Sequence, residues 1–149
     1  MDYRVRKFKK SDLETLPIIM KECFYLEPWK EVWKEEECLN RLKVMTDIST
    51  SFSFVLVDEN DQAHGAAIGF LLPFMDKMQY ELQEFFVDVK LQHLHLGTFM
   101  MNELLKEMKK ENVDEVLFYT SGHLDKFYGK FGFRKDDTRY LMYMDDFQL

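Results

Sequence analysis

Residues 79 to 105 read QYELQEFFVDVKLQHLHLGTFMMNELL, and the period of apolar residues changes along this stretch. Tyr80 and Leu82 alternate with Glu81 and Gln83 as in a half-buried strand, after which the apolar positions shift to Phe85, Val87 and Val89. A bulge near Glu84 accounts for the slip. An extra residue there lets the strand keep its buried face while bending the backbone and leaving polar groups unpaired. Beyond a short turn, Met100, Met101, Leu104, Leu105 and Met108 recur at helical spacing, so an amphipathic helix follows. Strand, turn and helix meet between Gln92 and Thr98. The first amides of that helix lack intrahelical partners and carry the positive end of its dipole, which makes the turn a candidate site for a phosphate or pyrophosphate.

Working outward from this stretch, residues 51 to 57 alternate as a strand, residues 58 to 61 form an acidic turn, and residues 62 to 75 form the partner strand of a hairpin, ended by Pro73. Gly65 and Gly69 in that strand allow a bend or the close approach of another group. Near the amino terminus, residues 3 to 8 form a first strand. Ser11 and Glu14 have the spacing of a capping box, opening a helix on which Leu13, Leu16, Met20, Cys23 and Phe24 share a face and Pro17 introduces a kink or break. A second helix runs from about residue 30 to residue 45, with Val32, Leu39, Leu42 and Met45 inward. Downstream come a short strand at residues 116 to 120, a helix carrying Leu124, Phe127, Tyr128 and Phe131 and stopped by Gly132, and a final strand at residues 139 to 144.

The chain has 149 residues, 46% hydrophobic and 15% aromatic, which suits one folded domain with a real core and excludes disorder. No apolar run is long enough to span a membrane and the first residues, MDYRVRKFKK, have no signal-peptide core, so a cytoplasmic protein without a membrane partner is expected. Cys23 and Cys38 read as reduced packing residues. Two cysteines and four scattered histidines make no metal set, so no metal is expected. The net charge of −7 argues against a nucleic-acid partner and favours a cationic acceptor. The amino-terminal patch of Arg4, Arg6, Lys7, Lys9 and Lys10 reads as a solvated face, and His64 and His123 as surface or loop residues.

At the central turn the sequence resembles the GCN5-related N-acetyltransferases (GNAT). Val87, Asp88 and Val89 match the end of their central strand, with Val89 where proline is usual. Gln92, His93, Leu94, His95, Leu96 and Gly97 match their Gln/Arg-x-x-Gly-x-Gly/Ala turn, with His95 where the first glycine is usual. Residues 126 to 133, KFYGKFGF, resemble the second family signature. The two motifs come in the family's order, and the resemblance covers nearly the whole chain. It implies an α/β (α+β) fold whose central mixed, mostly antiparallel twisted sheet has about six to seven strands, with a bulged, splayed fourth strand, flanked by about four helices.

It also implies an acyltransferase moving an acetyl group from acetyl-CoA to a primary amine, of a small cationic molecule or a peptide, and it allows a homodimer. The turn, from Gln92 to Gly97 and Thr98, together with backbone groups at Phe85, Phe86, Val87 and Val89, would hold coenzyme A. Tyr128 matches the general acid that protonates the sulfur. Glu81 and Glu84 match acidic residues of two family branches and are candidate bases, placed on one face by the bulge. Trp29 and Trp33 either line the acceptor groove or fix the two helices to the sheet. The alternative reading is a degenerate member, binding coenzyme A weakly or not at all, that works as a regulatory or binding module. His95 supports that alternative, because a Cβ and imidazole crowd the place where the backbone approaches the pyrophosphate.

Overall fold

The acidic turn of residues 58 to 61 joins β2 (Phe54–Val57) to β3 (Ala63–Phe74): Asp58 Oδ1 accepts the amides of Asn60 and Gln62 at 2.8 and 3.1 Å. This hairpin lies at the centre of a computed structural model that describes residues 2–147. The chain divides into two units, Met1–Tyr119 and Thr120–Leu149.

In the first unit, β1 (Arg4–Lys7), β2, β3, β4 (Lys77–Val87) and β5 (Glu115–Leu117) lie side by side in chain order. The first four are antiparallel, and β5 runs parallel to β4. A parallel neighbour needs a crossover. α3 (Leu96–Lys110) supplies it, ending where Asn112 takes a left-handed φ of 57°. α1 (Leu16–Tyr25) and α2 (Glu35–Asp47) bury Leu16, Met20, Phe24, Cys38 and Leu42 in one cluster with Ala66 and Ile68 of β3 and Phe86 of β4. Val87 instead packs with Leu56, Leu96 and Met100 of the α3 cluster. α1/α2 and α3 thus pack against alternate residues of the sheet.

The bulge read from the sequence is present. Ile68 stands opposite Glu84 and Gly69 opposite Leu82, so Gln83 is the extra residue. Tyr80 and Leu82 face Leu71 and Gly69, whereas Phe85 and Val87 face Ala67 and Gly65; all four partners are odd-numbered residues of β3, and the apolar face is continuous through the change of parity. Val89 departs from this pattern, because it lies beyond the strand and packs against the α1/α2 cluster. β4 pairs with β5 only at Gln79, Tyr80 and Glu81. Past Glu81, the β5-side edge of β4 has no strand partner among the described residues, which is the expected splay.

Several expectations need correction. Ser11 and Glu14 form no capping box: the segment Lys10–Glu14 is a 3-10 turn in which Asp12 Oδ2 accepts the Lys9 amide at 2.7 Å. Pro17 sits in the first turn of α1, where its missing N–H costs nothing, so it starts the helix rather than kinking it. The second helix begins at Glu35, not near residue 30, because Lys30 has a φ of 50° and Glu37 caps the Lys34 amide at 2.8 Å. Val32 is consequently 83% exposed, not inward. Pro73 lies within β3, opposite Met78.

In the second unit, α4 (Asp125–Gly129) spans five residues, and Gly132 follows with a φ of 94°. Phe127, Tyr128, Phe131 and Phe133 pack edge to face, with centroids 5.0 to 6.0 Å apart. Residues 139 to 144 form no strand: their backbone joins no ladder among the described residues, and Tyr140 to Met144 expose 66 to 81% of their surface. A strand without a partner ladder and a buried face is not stable. The sheet accordingly has five strands.

Candidate functional site

Two groups of side chains gather around β4, one at its carboxyl end and one at the bulge. At the end, the Asp88 amide donates to His64 O at 2.7 Å and Asp88 Oδ1 caps the Lys90 amide at 3.0 Å, opening the 3-10 turn Val89–Leu94. Val87 O is held by Gln92 Nε2 at 3.1 Å and by Cys23 Sγ at 2.8 Å. The chain then turns into α3 through His95, whose φ of 59° and ψ of 28° are left-handed, and no side chain caps the helix. Gln92, His93, Leu94 and His95 are exposed, Gly97 and Thr98 are half-buried, and Leu96 is anchored in the core. The turn therefore presents uncapped helix amides beside exposed polar residues. Phe86 and Val87 are buried and Phe85 packs against the α3 cluster, so these three residues offer backbone rather than side chains.

Below this turn the structure assembles a group the sequence did not disclose. His64 is half-buried, with Nε2 at 2.7 Å from Asp58 Oδ2 and Nδ1 sealed from solvent without a hydrogen bond, 3.9 Å from Asp88 Oδ2. The bond to His64 holds the Asp58 carboxyl below its usual range. A hairpin Asp six residues before a His is too common a spacing to be read as a contact.

At the bulge, Glu84 and Glu81 stand opposite Ile68 and Phe70, so both lie on the α1/α2 face. Glu84 is buried, and its Oε1 accepts from Arg41 Nε at 2.6 Å. Burial raises its pKa above the usual carboxylate value, while the Arg41 guanidinium works in the opposite direction. Trp33 covers Arg41, with the guanidinium carbon 6.0 Å from the ring centroid, and Trp33 Nε1 donates to Glu31 Oε1 at 3.0 Å. Trp29 packs edge to face on Phe24 at 5.7 Å, and Phe24 on Phe86 at 6.2 Å. Both tryptophans are half-buried and packed against the α1/α2 cluster. Arg41 is the residue that sequence reasoning missed; its only signal is its place three positions after Cys38 and beside Leu42, at the edge of the buried stripe of α2.

In the second unit, Tyr128 is in edge contact with Phe127 and Phe133. Burial raises the pKa of its phenol, against a hydrogen bond with Thr120 that lowers it. Ser121 Oγ and His123 Nδ1 are 2.9 Å apart. The cysteines are free and buried, with Cys23 pushed up to about 12 and Cys38 to about 11 by desolvation. Two of the amino-terminal basic residues are ion-paired through short bonds: Asp12 accepts two from Arg6, and Asp61 accepts from both Arg4 and Arg6. Among the described residues, no group of three or more His, Cys, Asp or Glu is set for a metal, and no helix is long and apolar enough to cross a membrane. A hollow of about 300 Å³ lined by Leu13, Pro17, Glu35, Glu36 and Leu39 holds none of the candidate residues.

A family model described as "Acetyltransferase (GNAT) domain" matches residues 17–142. Among solved structures, a possible acetyltransferase from Clostridium difficile is similar, with a TM-score of 0.80 and 14% identity over 98% of this chain and 98% of that one. An acetyltransferase from Trypanosoma brucei has a TM-score of 0.72 and 19% identity over 97% of this chain and 99% of that one. Glucosamine-6-phosphate N-acetyltransferase from Arabidopsis thaliana has a TM-score of 0.72 and 16% identity over 97% of this chain and 100% of that one. These identities speak for the fold. By sequence, no curated protein matches the chain.

Proposed function

The chain belongs to the acetyltransferase (GNAT) domain family, and from that premise we propose that it transfers an acetyl group from acetyl-CoA to a primary amine. The observation that carries this reading is the edge of β4: beyond Glu81 no strand pairs with it on the β5 side among the described residues, and it runs into the exposed turn and uncapped first amides of α3. An open strand edge suits the amides of a pantetheine arm. A helix amino terminus suits a pyrophosphate. Leu96, Gly97 and Thr98 would supply amides there, with Gln92, His93, Leu94 and His95 around them, and backbone at Phe85, Phe86 and Val87 would face the arm and the thioester oxygen.

Acetyl transfer forms one N–C bond and breaks one C–S bond. The acceptor ammonium must first lose a proton, and the departing sulfur must gain one. Glu84 is the proposed base, since burial raises its proton affinity, and Glu81 on the same face is its neighbour in that role. Tyr128 is the proposed acid on the strength of its motif; the raised phenol pKa keeps its proton available at neutral pH.

A second reading, a donor-binding or regulatory module without turnover, draws on His95, whose left-handed backbone carries a Cβ and ring where the family motif has glycine. Calorimetry with acetyl-CoA separates the two, followed by thiol release in the presence of amines. Micromolar binding, about −8 kcal/mol, with amine-dependent thiol release is expected. Absence of binding at millimolar donor would overturn the transferase reading.

A further inference from the structure

The ion pair at the bulge is only half used. Arg41 engages Glu84 through Nε alone, and its side chain remains 43% exposed while that of Glu84 is 9% exposed. The two terminal guanidinium nitrogens take no part in that bond, and the Trp33 ring lies beside the fork. A buried carboxylate usually has both oxygens satisfied. Here Oε1 takes the Arg41 bond, and the only sealed, unpartnered polar side-chain atom among the described residues is His64 Nδ1, so Glu84 Oε2 is not sealed from solvent. Adjacent to each other, then, stand a guanidinium edge that binds a planar anion bidentately and a carboxylate oxygen that accepts from an ammonium. An apolar ring walls them.

Resting on the transferase reading, we propose that the acceptor is an α-amino acid whose carboxylate is gripped by Arg41, whose amino group is held by Glu84 and whose side chain lies against Trp33. Charge balance selects a carboxylate over a phosphate. Arg41 and Glu84 sum to zero, which matches a zwitterion, whereas a phosphate dianion would set its two charges against one guanidinium with Glu84 and Glu31 close by. The amino and carboxylate groups of an α-amino acid are separated by a single carbon, as the adjoining Glu84 and Arg41 heads require. In the reaction Glu84 takes a proton from the ammonium, the nitrogen bonds the acetyl carbon as the C–S bond breaks, and the sulfur leaves with a proton. The products are an N-acetyl amino acid and a free thiol.

The test compares L-phenylalanine, phenethylamine and O-phosphoethanolamine as acceptors by thiol release, with donor binding measured separately by calorimetry. The wild-type protein is expected to favour L-phenylalanine over phenethylamine in kcat/KM by about tenfold or more. Arg41→Gln is expected to raise KM for L-phenylalanine by about ten- to hundredfold with no comparable rise for phenethylamine, while kcat changes alike for both amines because Glu84 loses its partner, and Arg41→Lys to recover only part of the KM loss, because an ammonium lacks the fork. A wild-type preference for phenethylamine or O-phosphoethanolamine would overturn the proposal without any variant, as would an equal rise in KM for both amines in a folded Arg41→Gln. Donor binding intact with no turnover of L-phenylalanine sinks this inference alone. Loss of donor binding in the wild-type protein sinks the transferase reading beneath it.

Discussion

Gly69 lies where β4 bulges, and replacing it with alanine tests whether the bulge is packed as described. A Cβ built there would sit 2.5 Å from Tyr80 Cζ, 2.5 Å from Tyr80 Oη and 2.6 Å from Glu81 O. No real Cβ tolerates such contacts, and neither neighbour is free to yield. Tyr80 is fully buried with its hydroxyl on Phe52 O at 2.7 Å, and Glu81 O is backbone in the strand that pairs with β5. The substitution must push the ring, the strand or both. Overpacking of this kind costs about 1–3 kcal/mol, and pulling the Tyr80 hydroxyl off its carbonyl adds about 1–3 kcal/mol for a stranded buried donor. A loss of about 3 kcal/mol corresponds to a fall in Tm of about 6–12 °C for a chain of this size. Urea and thermal unfolding of Gly69→Ala beside Gly122→Ala is the assay, because a Cβ on Gly122 meets nothing within 4 Å and should change stability by less than about 0.5 kcal/mol. If Gly69→Ala is as benign as the control, β3 and β4 do not approach as described, and the register that puts Glu81 and Glu84 on one face fails with them.

Three further outcomes are expected. Tyr128→Phe should lower kcat at least about tenfold through loss of the proton donor, and an unchanged turnover would remove Tyr128 from the chemistry. His95→Gly should raise stability by about 1 kcal/mol by relieving a left-handed side-chain residue, and should lower the Kd for acetyl-CoA; a raised Kd in calorimetry would make the imidazole a ligand instead. The Arg6 bond to Asp61, with help from Arg4, holds the Asp61 carboxyl at about 2 instead of the usual 3.8. A folded value below the unfolded one means this stabilisation is present above pH 3.8 and is lost as pH falls towards about 2. Urea midpoints measured down that range should fall less steeply in Asp61→Asn than in wild type, and parallel curves would refute the linkage.

Much of the fold was legible because it rests on local periodicity. The slip from Tyr80 and Leu82 to Phe85 and Val87 announced the bulge, and the methionine and leucine stripe announced α3, since a side chain's face follows from its position in a strand or helix. The motif residues around Gln92 and Tyr128 were recognisable as strings, and the left-handed backbone at His95 falls where the motif asks for glycine. Contacts between distant parts of the chain were not legible. Arg41 and Glu84 are separated by 43 positions, and nothing local says that a helix arginine will close over a strand carboxylate, or that Nε alone will make the bond. His64 reads as a surface residue until the hairpin folds Asp58 onto one side of it and the strand end brings Asp88 to the other. The start of α2 likewise depended on a backbone turn at Lys30 that periodicity does not encode. Sequence by itself determined the order of elements, the bulge and the turn into α3, because those follow from nearest-neighbour chemistry. Only the tertiary structure decided which ionisable groups are buried and what they face, because burial and pairing of charge depend on how the helices close over the sheet.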